Sequence, residues 1–208
     1  MSDQEIKKHY EELYMEHGAS PKSVQWSSTA SQVKRFEVLT SFLEKDASII
    51  DLGCGLADLL SYLRSKGYVG RYLGLDLVQG FIDQARLKYA EDDSAKFMAL
   101  AEGSLDYPSG FDYVLISGLF NNRRENNLGF MHSVLRSSFE CASNGVVFNA
   151  LSTRVDYMED HLFYIDPIET FEFSKNDLNG HPVIRHDYTL TPGGFPYEFS
   201  ICIRKKLA

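Results

Sequence analysis

The chain has 208 residues, 44% of them hydrophobic and 13% aromatic, with a formal net charge of -8. That is enough apolar material for one domain with a sizeable core, and an acidic chain repels phosphate backbones, so nucleic acid is not an expected partner. Cys54, Cys141 and Cys202 are odd in number and far apart, a pattern without metal spacing or a disulfide framework; together with a charged start that has no apolar leader and no apolar run of roughly 20 residues, it gives the expectation of a cytoplasmic protein off the membrane.

The elements follow in chain order. Residues 3 to about 17 carry Ile6, Tyr10, Leu13 and Tyr14 at helical steps, and Gly18 ends that helix. A polar stretch with the only tryptophan, Trp26, leads to a second helix expected from about Ser31 to Glu44, with Val33, Phe36, Leu39 and Leu43 on one side. An alternation then begins: "SIIDLG" reads as a buried strand, "LADLLSYLRSKG" as a helix, "RYLGLDL" as a strand, "VQGFIDQARLKYA" as a helix, and "AKFMALA" as a strand. "FDYVLISGLF" reads as the longest apolar strand, "NNLGFMHSVLRSSFECA" as a helix, and "NGVVFNAL" as a strand. After a helix near "PIETFEFSKNDL", the segments "PVIRHDYTL" and "YEFSICIRKK" read as a hairpin closed by "TPGGFP". The expected fold is α/β: a doubly wound, mostly parallel, seven-stranded sheet with helices on both faces, an antiparallel hairpin at the end and a helical cap at the start. Residues 1–30 are expected to form the cap segment and 31–208 the main unit of one globular domain.

The stretch "IIDLGCGLADLL" runs a strand into a glycine elbow. Gly53 and Gly55 permit a sharp turn and close backbone approach, and their amides, with those of the next helix's first turn, are expected to point outward as donors. Ligands of open α/β sheets bind at carboxyl strand ends where strand order reverses. Asp76 ends the next strand, 25 residues after Asp51, and an acid about 20 residues past such an elbow commonly takes ribose hydroxyls. A dinucleotide fingerprint needs a third glycine; here that position is Asp58, which repels a pyrophosphate, and the acidic rim suits a cationic ligand.

On these residues the chain resembles the class I S-adenosylmethionine-dependent methyltransferases. "IIDLGCGLA" resembles the first motif, D-x-G-x-G, and "YLGLDL" the second. The resemblance implies S-adenosylmethionine as cofactor, held by Asp51, Gly53, Cys54, Gly55, Asp76 and Leu77. It implies that Ala101 and Glu102, in "FMALAEGSL", contact adenine, and that Ser117 and Gly118, at the end of "FDYVLISGLF", lie beside the transferable methyl. Segments before the sheet close over the cofactor in related enzymes, so Arg35 is a candidate for its carboxylate and Trp26 for the pocket wall; a surface arginine and a core tryptophan remain the alternatives. Tyr10 and Tyr14 share a face, either a lid or ordinary packing.

Asn121, His161 and Tyr164 are the catalytic candidates, His161 as a general base. Arg123 and Arg124 stand either as contacts for an acidic acceptor or as a solvated loop. Base-methylating signatures are absent from "SGLFNNRRENN", and no metal set is expected. The reading is transfer of a methyl group to a small-molecule acceptor. A nicotinamide-dependent oxidoreductase and a non-catalytic cofactor-binding module are the alternatives.

Overall fold

A computed structural model of the chain describes residues 1–24 and 28–206. Its strands are β1 (Ile49–Leu52), β2 (Tyr72–Asp76), β3 (Ala95–Ala99), β4 (Phe111–Ile116), β5 (Ala142–Leu151), β6 (His181–Arg185) and β7 (Glu198–Arg204). They form one sheet in the order β3-β2-β1-β4-β5-β7-β6. The β3-β2-β1-β4-β5 portion is parallel, and β7 runs antiparallel between β5 and β6. The helices are α1 (Asp3–His17), α2 (Thr29–Thr40), α3 (Asp58–Ser65), α4 (Gln79–Lys88), α5 (Asn127–Cys141) and α6 (Pro167–Asn176), with a short 3-10 turn at Pro21–Val24.

Successive strand residues face opposite cores, which is why the central strands read as unbroken apolar runs. Ile49, Tyr72, Tyr113 and Leu115 pack with α2, α3 and α4 through Leu39, Leu60 and Ile82. Ile50, Leu75, Val114 and Phe148 pack with α5 and α6 through Leu135 and Phe173. The expected architecture is present.

Three boundaries differ from the sequence reading. Helix α2 stops at Thr40, not near Glu44, because the Thr40 and Ser41 hydroxyls donate to the Phe36 and Val38 carbonyls at 2.7 and 2.6 Å, an alternative to continuing the helical ladder. The longest strand is β5, not β4. β6 ends at Arg185, so its connection to β7 spans residues 186–197 instead of a tight Gly/Pro turn.

Helix α1 starts at a capping box: the Glu5 amide donates to the Ser2 hydroxyl at 3.2 Å, and the Ser2 amide donates to the Glu5 carboxylate at 2.7 Å. Gly18, at φ +60°, ends it. Its inner side meets α4, where Tyr14 packs edge-on to Phe81 at 5.3 Å between centroids. Gly80 makes this approach possible, since a Cβ there would lie 2.8 Å from the Tyr14 ring.

Candidate active site

A cavity of about 550 Å³ opens at the carboxyl ends of β1, β2 and β4. Strand order reverses between β1 and β4, the position where this class of sheet binds ligands. One end is built from the β1 elbow and the end of β2. The other is roofed by α1 and walled by α5.

The elbow needs left-handed backbone at Gly53 (φ +79°), Gly55 (φ +52°) and Ala57 (φ +57°). At Gly55 a side chain would also collide, because a Cβ would lie 2.9 Å from Val24 Cγ1. The elbow amides do not face outward as the sequence reading expected. Gly53 and Cys54 donate to the Leu75 carbonyl at 2.8 and 3.0 Å, and Gly55 donates to Asp76 Oδ2 at 2.9 Å. The glycines therefore zip the elbow onto β2. The first-turn amides of α3, named as donors with the elbow in the sequence reading, are the ones left available, since its N-cap, Ala57, makes no side-chain hydrogen bond to them.

Three carboxylates surround this end: Asp51, Asp58 and Asp76 all line the cavity. Asp76 accepts from Gly55 through one oxygen and from the Val78 amide, at 2.9 Å, through the other. Burial raises its pKa against the pull of these amide bonds. Asp51 is 3% exposed and accepts a bond from the Tyr72 hydroxyl. Burial pushes its pKa up to about 7, the Tyr72 bond works against that rise, and the charges of Asp76 and Asp58 add to it. Asp58 is steadied from outside by Gln32 Nε2 at 3.2 Å and Lys88 Nζ at 3.5 Å. So much negative charge in one pocket end favours a cationic guest.

At the other end Asp3, Ile6, Lys7 and Tyr10 of α1 face Phe130, Ser133 and Val134 of α5 across the cavity, with Leu105 and Tyr107 at the side. Helix α1 is fastened to the loop after β4: Asp3 pairs with Arg124, Asn122 Nδ2 donates to the Tyr10 hydroxyl at 3.0 Å, and the chain's amino terminus donates to the Arg123 carbonyl at 3.2 Å. Lys7 reaches Glu102 at 3.5 Å.

A sequence family described as a methyltransferase domain matches residues 49–138, from β1 to the last turns of α5. A Mycobacterium tuberculosis protein named as methyltransferase Rv1506c is 32% identical over 164 residues, covering 76% of this chain and 93% of that one. The chain belongs to the class I S-adenosylmethionine-dependent methyltransferases. Two solved structures are similar in fold. The Burkholderia thailandensis 1,6-didemethyltoxoflavin-N1-methyltransferase, with 1,6-didemethyltoxoflavin and S-adenosylhomocysteine bound, superposes at a TM-score of 0.72 with 15% identity, over 99% of this chain and 92% of that one. The Synechocystis magnesium protoporphyrin IX methyltransferase, with S-adenosylmethionine bound, gives 0.70 with 10% identity, over 98% and 97%.

The cavity of this methyltransferase fits the family's cofactor, S-adenosylmethionine. That group carries a sulfonium, an ammonium, a carboxylate and a ribose diol but no phosphate, and the acidic end meets cations and hydroxyls. The buried Ser117 hydroxyl has no hydrogen-bond partner among the described residues and lies on the cavity wall, so a polar guest is needed to satisfy it. The same acids disfavour the pyrophosphate of a nicotinamide cofactor.

Eight of the residues named from sequence for the cofactor line this cavity: Asp51, Gly53, Cys54, Gly55, Asp76, Leu77, Ser117 and Gly118. Cys54 is 7% exposed and burial holds its thiol protonated, so it contributes shape and no nucleophile. Trp26 falls outside the described residues. Arg35 is not at the cavity; it lies in the core, where its Nε donates to Glu198 at 2.9 Å. Ala101 and Glu102 turn away into solvent, Glu102 being held by Lys7, while Leu100, Gly103 and Ser104 take the wall positions. His161 is exposed and Tyr164 accepts a bond from the Glu159 amide at 3.0 Å, both away from the cavity. Their loop instead crosses the loop after β4, with the Phe163 amide donating to the Asn121 carbonyl at 2.8 Å, which removes Asn121 from the lining as well. Arg124 is no solvated loop residue: its side chain is 7% exposed. Among the described residues no group of three His, Cys, Asp or Glu side chains is placed to hold a metal ion, and no helix is long and apolar enough to cross a membrane.

Proposed function

We propose that this methyltransferase acts on a small-molecule acceptor held beneath α1. The observation that carries the reading is the continuity of one cavity from the three carboxylates to the apolar wall between α1 and α5. Its volume of about 550 Å³ falls within the roughly 300–1,000 Å³ of small-molecule sites.

The methyl group that S-adenosylmethionine supplies is already activated by its positive sulfur. The protein's work is to hold, orient and dry the reactants. Each Asp76 oxygen holds one backbone amide and keeps a lone pair for a ribose hydroxyl. Asp51 faces the ammonium, and the first turn of α3 offers amides to the carboxylate. Leu77, Val78 and Phe81 on one side and Leu100 with Leu105 on the other form a slot for the adenine. Ser117 and Gly118 flank the reacting centre. Tyr10 accepts from Asn122, which leaves its own proton to donate into the cavity; burial raises its pKa, so it stays neutral and orients the acceptor as a donor. Residues 1–30 act as the cap, with Ile6 and Tyr10 excluding water.

Calorimetry with S-adenosylmethionine, S-adenosylhomocysteine and NAD(H), followed by a methyl-transfer screen over metabolite pools, tests this. The sulfur ligands should bind and a small metabolite should gain a methyl group. Transfer only to macromolecules would overturn the acceptor assignment.

A further inference from the structure

Arg124 is the buried cation of the acceptor end. Its side chain is 7% exposed, its guanidinium carbon lies 3.7 Å from the centroid of the Phe130 ring, and one terminal nitrogen is bound to Asp3. Its backbone is fixed by the Asn127 side chain, which accepts from the Arg124 amide at 2.8 Å. Its Nε is buried yet has no hydrogen-bond partner among the described residues, although buried donors in native proteins are almost always paired.

The surroundings say what the missing partner is. Arg124 lines the cavity beside Asn126, Gly129 and Phe130, the first turn of α5, so the positive end of that helix adds to the field there. Asn126 caps the helix by accepting from the Gly129 amide at 2.9 Å. Lys7 is a second cation on the same wall. A guanidinium edge with its N–H groups in one plane matches a carboxylate. A multiply charged anion fits less well, because Asp3 already neutralises part of the guanidinium and Asp51, Asp58 and Asp76 face the same cavity.

We propose that Arg124 selects the acceptor by binding a carboxylate on it, so that the substrates are small monocarboxylates with an apolar or aromatic body seated against Phe130. The inference rests on reading the α1–α5 end as the acceptor pocket. Asp3 orients the guanidinium through one nitrogen, and the Nε edge is left for the acceptor.

The test is calorimetry on the whole protein saturated with S-adenosylhomocysteine, using matched probes: benzoate against benzamide, phenylacetate against phenylacetamide, and phenyl phosphate. Each acid should bind about tenfold or more tightly than its amide, as a charge-assisted bond requires, and phenyl phosphate should bind more weakly than the carboxylates. Arg124→Gln should erase the preference for acid over amide, and Arg124→Lys should keep part of it. S-adenosylhomocysteine affinity of each variant reports whether the pocket is intact. Should Arg124→Gln fail to fold, Asp3→Asn decides: it leaves Arg124 in place and removes its counter-charge, so the preference for acids should grow. Equal binding of acid and amide, tighter binding of the phosphate, a preference that survives in a pocket-intact Arg124→Gln variant, or no gain in Asp3→Asn would each overturn the proposal. Failure of S-adenosylhomocysteine to bind the unaltered protein would sink the donor assignment separately, since the acid and amide titrations can be run without it.

Discussion

Asn149 accepts a hydrogen bond from the Gly118 amide at 3.0 Å, which ties the cavity wall after β4 to the interior of β5. The same side chain donates to Glu198 at 3.2 Å, and Glu198 also accepts from the Tyr188 hydroxyl at 3.0 Å and from Arg35 Nε at 2.9 Å. Asn149, Glu198 and Arg35 are all buried. A polar network running through three elements thus fixes the loop that carries Ser117 and Gly118.

Asn149→Ala should therefore act at a distance. It leaves the Gly118 amide without its acceptor and the Glu198 oxygen with Tyr188 alone, a loss of about 1–3 kcal/mol in stability. Urea denaturation reads that loss. Methyl transfer should fall further than S-adenosylhomocysteine affinity does, because the loop beside the reacting centre loses its anchor while Asp51 and Asp76 keep theirs. An equal fall in both, or a variant as stable as the parent, would contradict this role.

Glu198→Gln should be costlier. Arg35 would keep a buried charge without its counter-ion, and breaking a buried pair in this way costs about 3–5 kcal/mol. Adding Arg35→Met to Glu198→Gln should recover much of the loss in a double-mutant cycle. Additive losses would mean that the pair is not coupled.

The layout of the fold was readable because its signals are local. The strands buried on both faces gave apolar runs such as Ile49–Leu52, and Gly53, Gly55 and Asp76 marked the elbow and an acid on the cavity wall by spacing alone. What escaped the reading depends on partners far along the chain. Arg35 meets Glu198 across 163 residues, so nothing in "SQVKRFEVLT" announces a core arginine. Asn149 sits inside "VVFNAL" with no flanking signal for a loop anchor. The strand reads from Asn144, yet β5 begins at Ala142. Gly145 is there because the β7 backbone comes so close that a Cβ would lie 2.1 Å from the Ile203 carbonyl oxygen. His161 and Tyr164 looked catalytic by residue type, and the crossing of two loops, which no pattern encodes, keeps them from the cavity.

Asp76→Ala should weaken both binding and fold. Losing the charge-assisted bonds to a ribose lowers S-adenosylhomocysteine affinity by about tenfold or more. The Gly55 and Val78 amides lose their acceptor too, at about 1–3 kcal/mol. Asp76→Asn, which keeps an oxygen for one amide, should recover part of the stability without restoring affinity. Titration and thermal melting of the two variants check this, and undiminished affinity in either variant would show that the carboxylate does not hold the cofactor.

Asp51 gives a pH dependence with a defined sign. Its carboxyl starts from 3.8 and burial brings it to about 7 in the fold. Between these values the folded protein holds a proton that the unfolded chain has released, so this group's contribution to stability is full below the lower value and declines as pH rises through the upper one. Asp51→Asn should flatten the stability profile across that window. A ligand ammonium beside Asp51 favours the carboxylate, so S-adenosylhomocysteine should bind more tightly as pH rises toward about 7, with proton release at the low end. Calorimetry in buffers of different ionisation enthalpy measures that proton. No release in the parent, or the same release in Asp51→Asn, would assign it elsewhere.

The last prediction concerns the cap. Helix α1 has one buried apolar side chain, Ile6, and part-buried Tyr10 and Tyr14 on the Leu56, Val78 and Phe81 cluster; the holds nearer its start are polar: Asp3 to Arg124, Tyr10 to Asn122, and Lys7 to Glu102. Such contacts are individually weak where solvent reaches them, and solvent reaches both the half-buried Lys7 and the exposed Glu102. The ring contact of Tyr14 on Phe81 lies near the far end of the helix. The end carrying Asp3 and Ile6 should therefore open first, hinging near Tyr14, and admit both reactants. Hydrogen exchange should show fast exchange of residues 5–12 in the free protein and clear protection with S-adenosylhomocysteine bound. Asn122→Ala removes the Tyr10 contact without touching the carboxylates, so exchange of this segment should speed up while the central strands stay as protected as before. Equal protection of residues 5–12 in the free and bound protein would mean that α1 is a fixed wall, and that the reactants enter by another route.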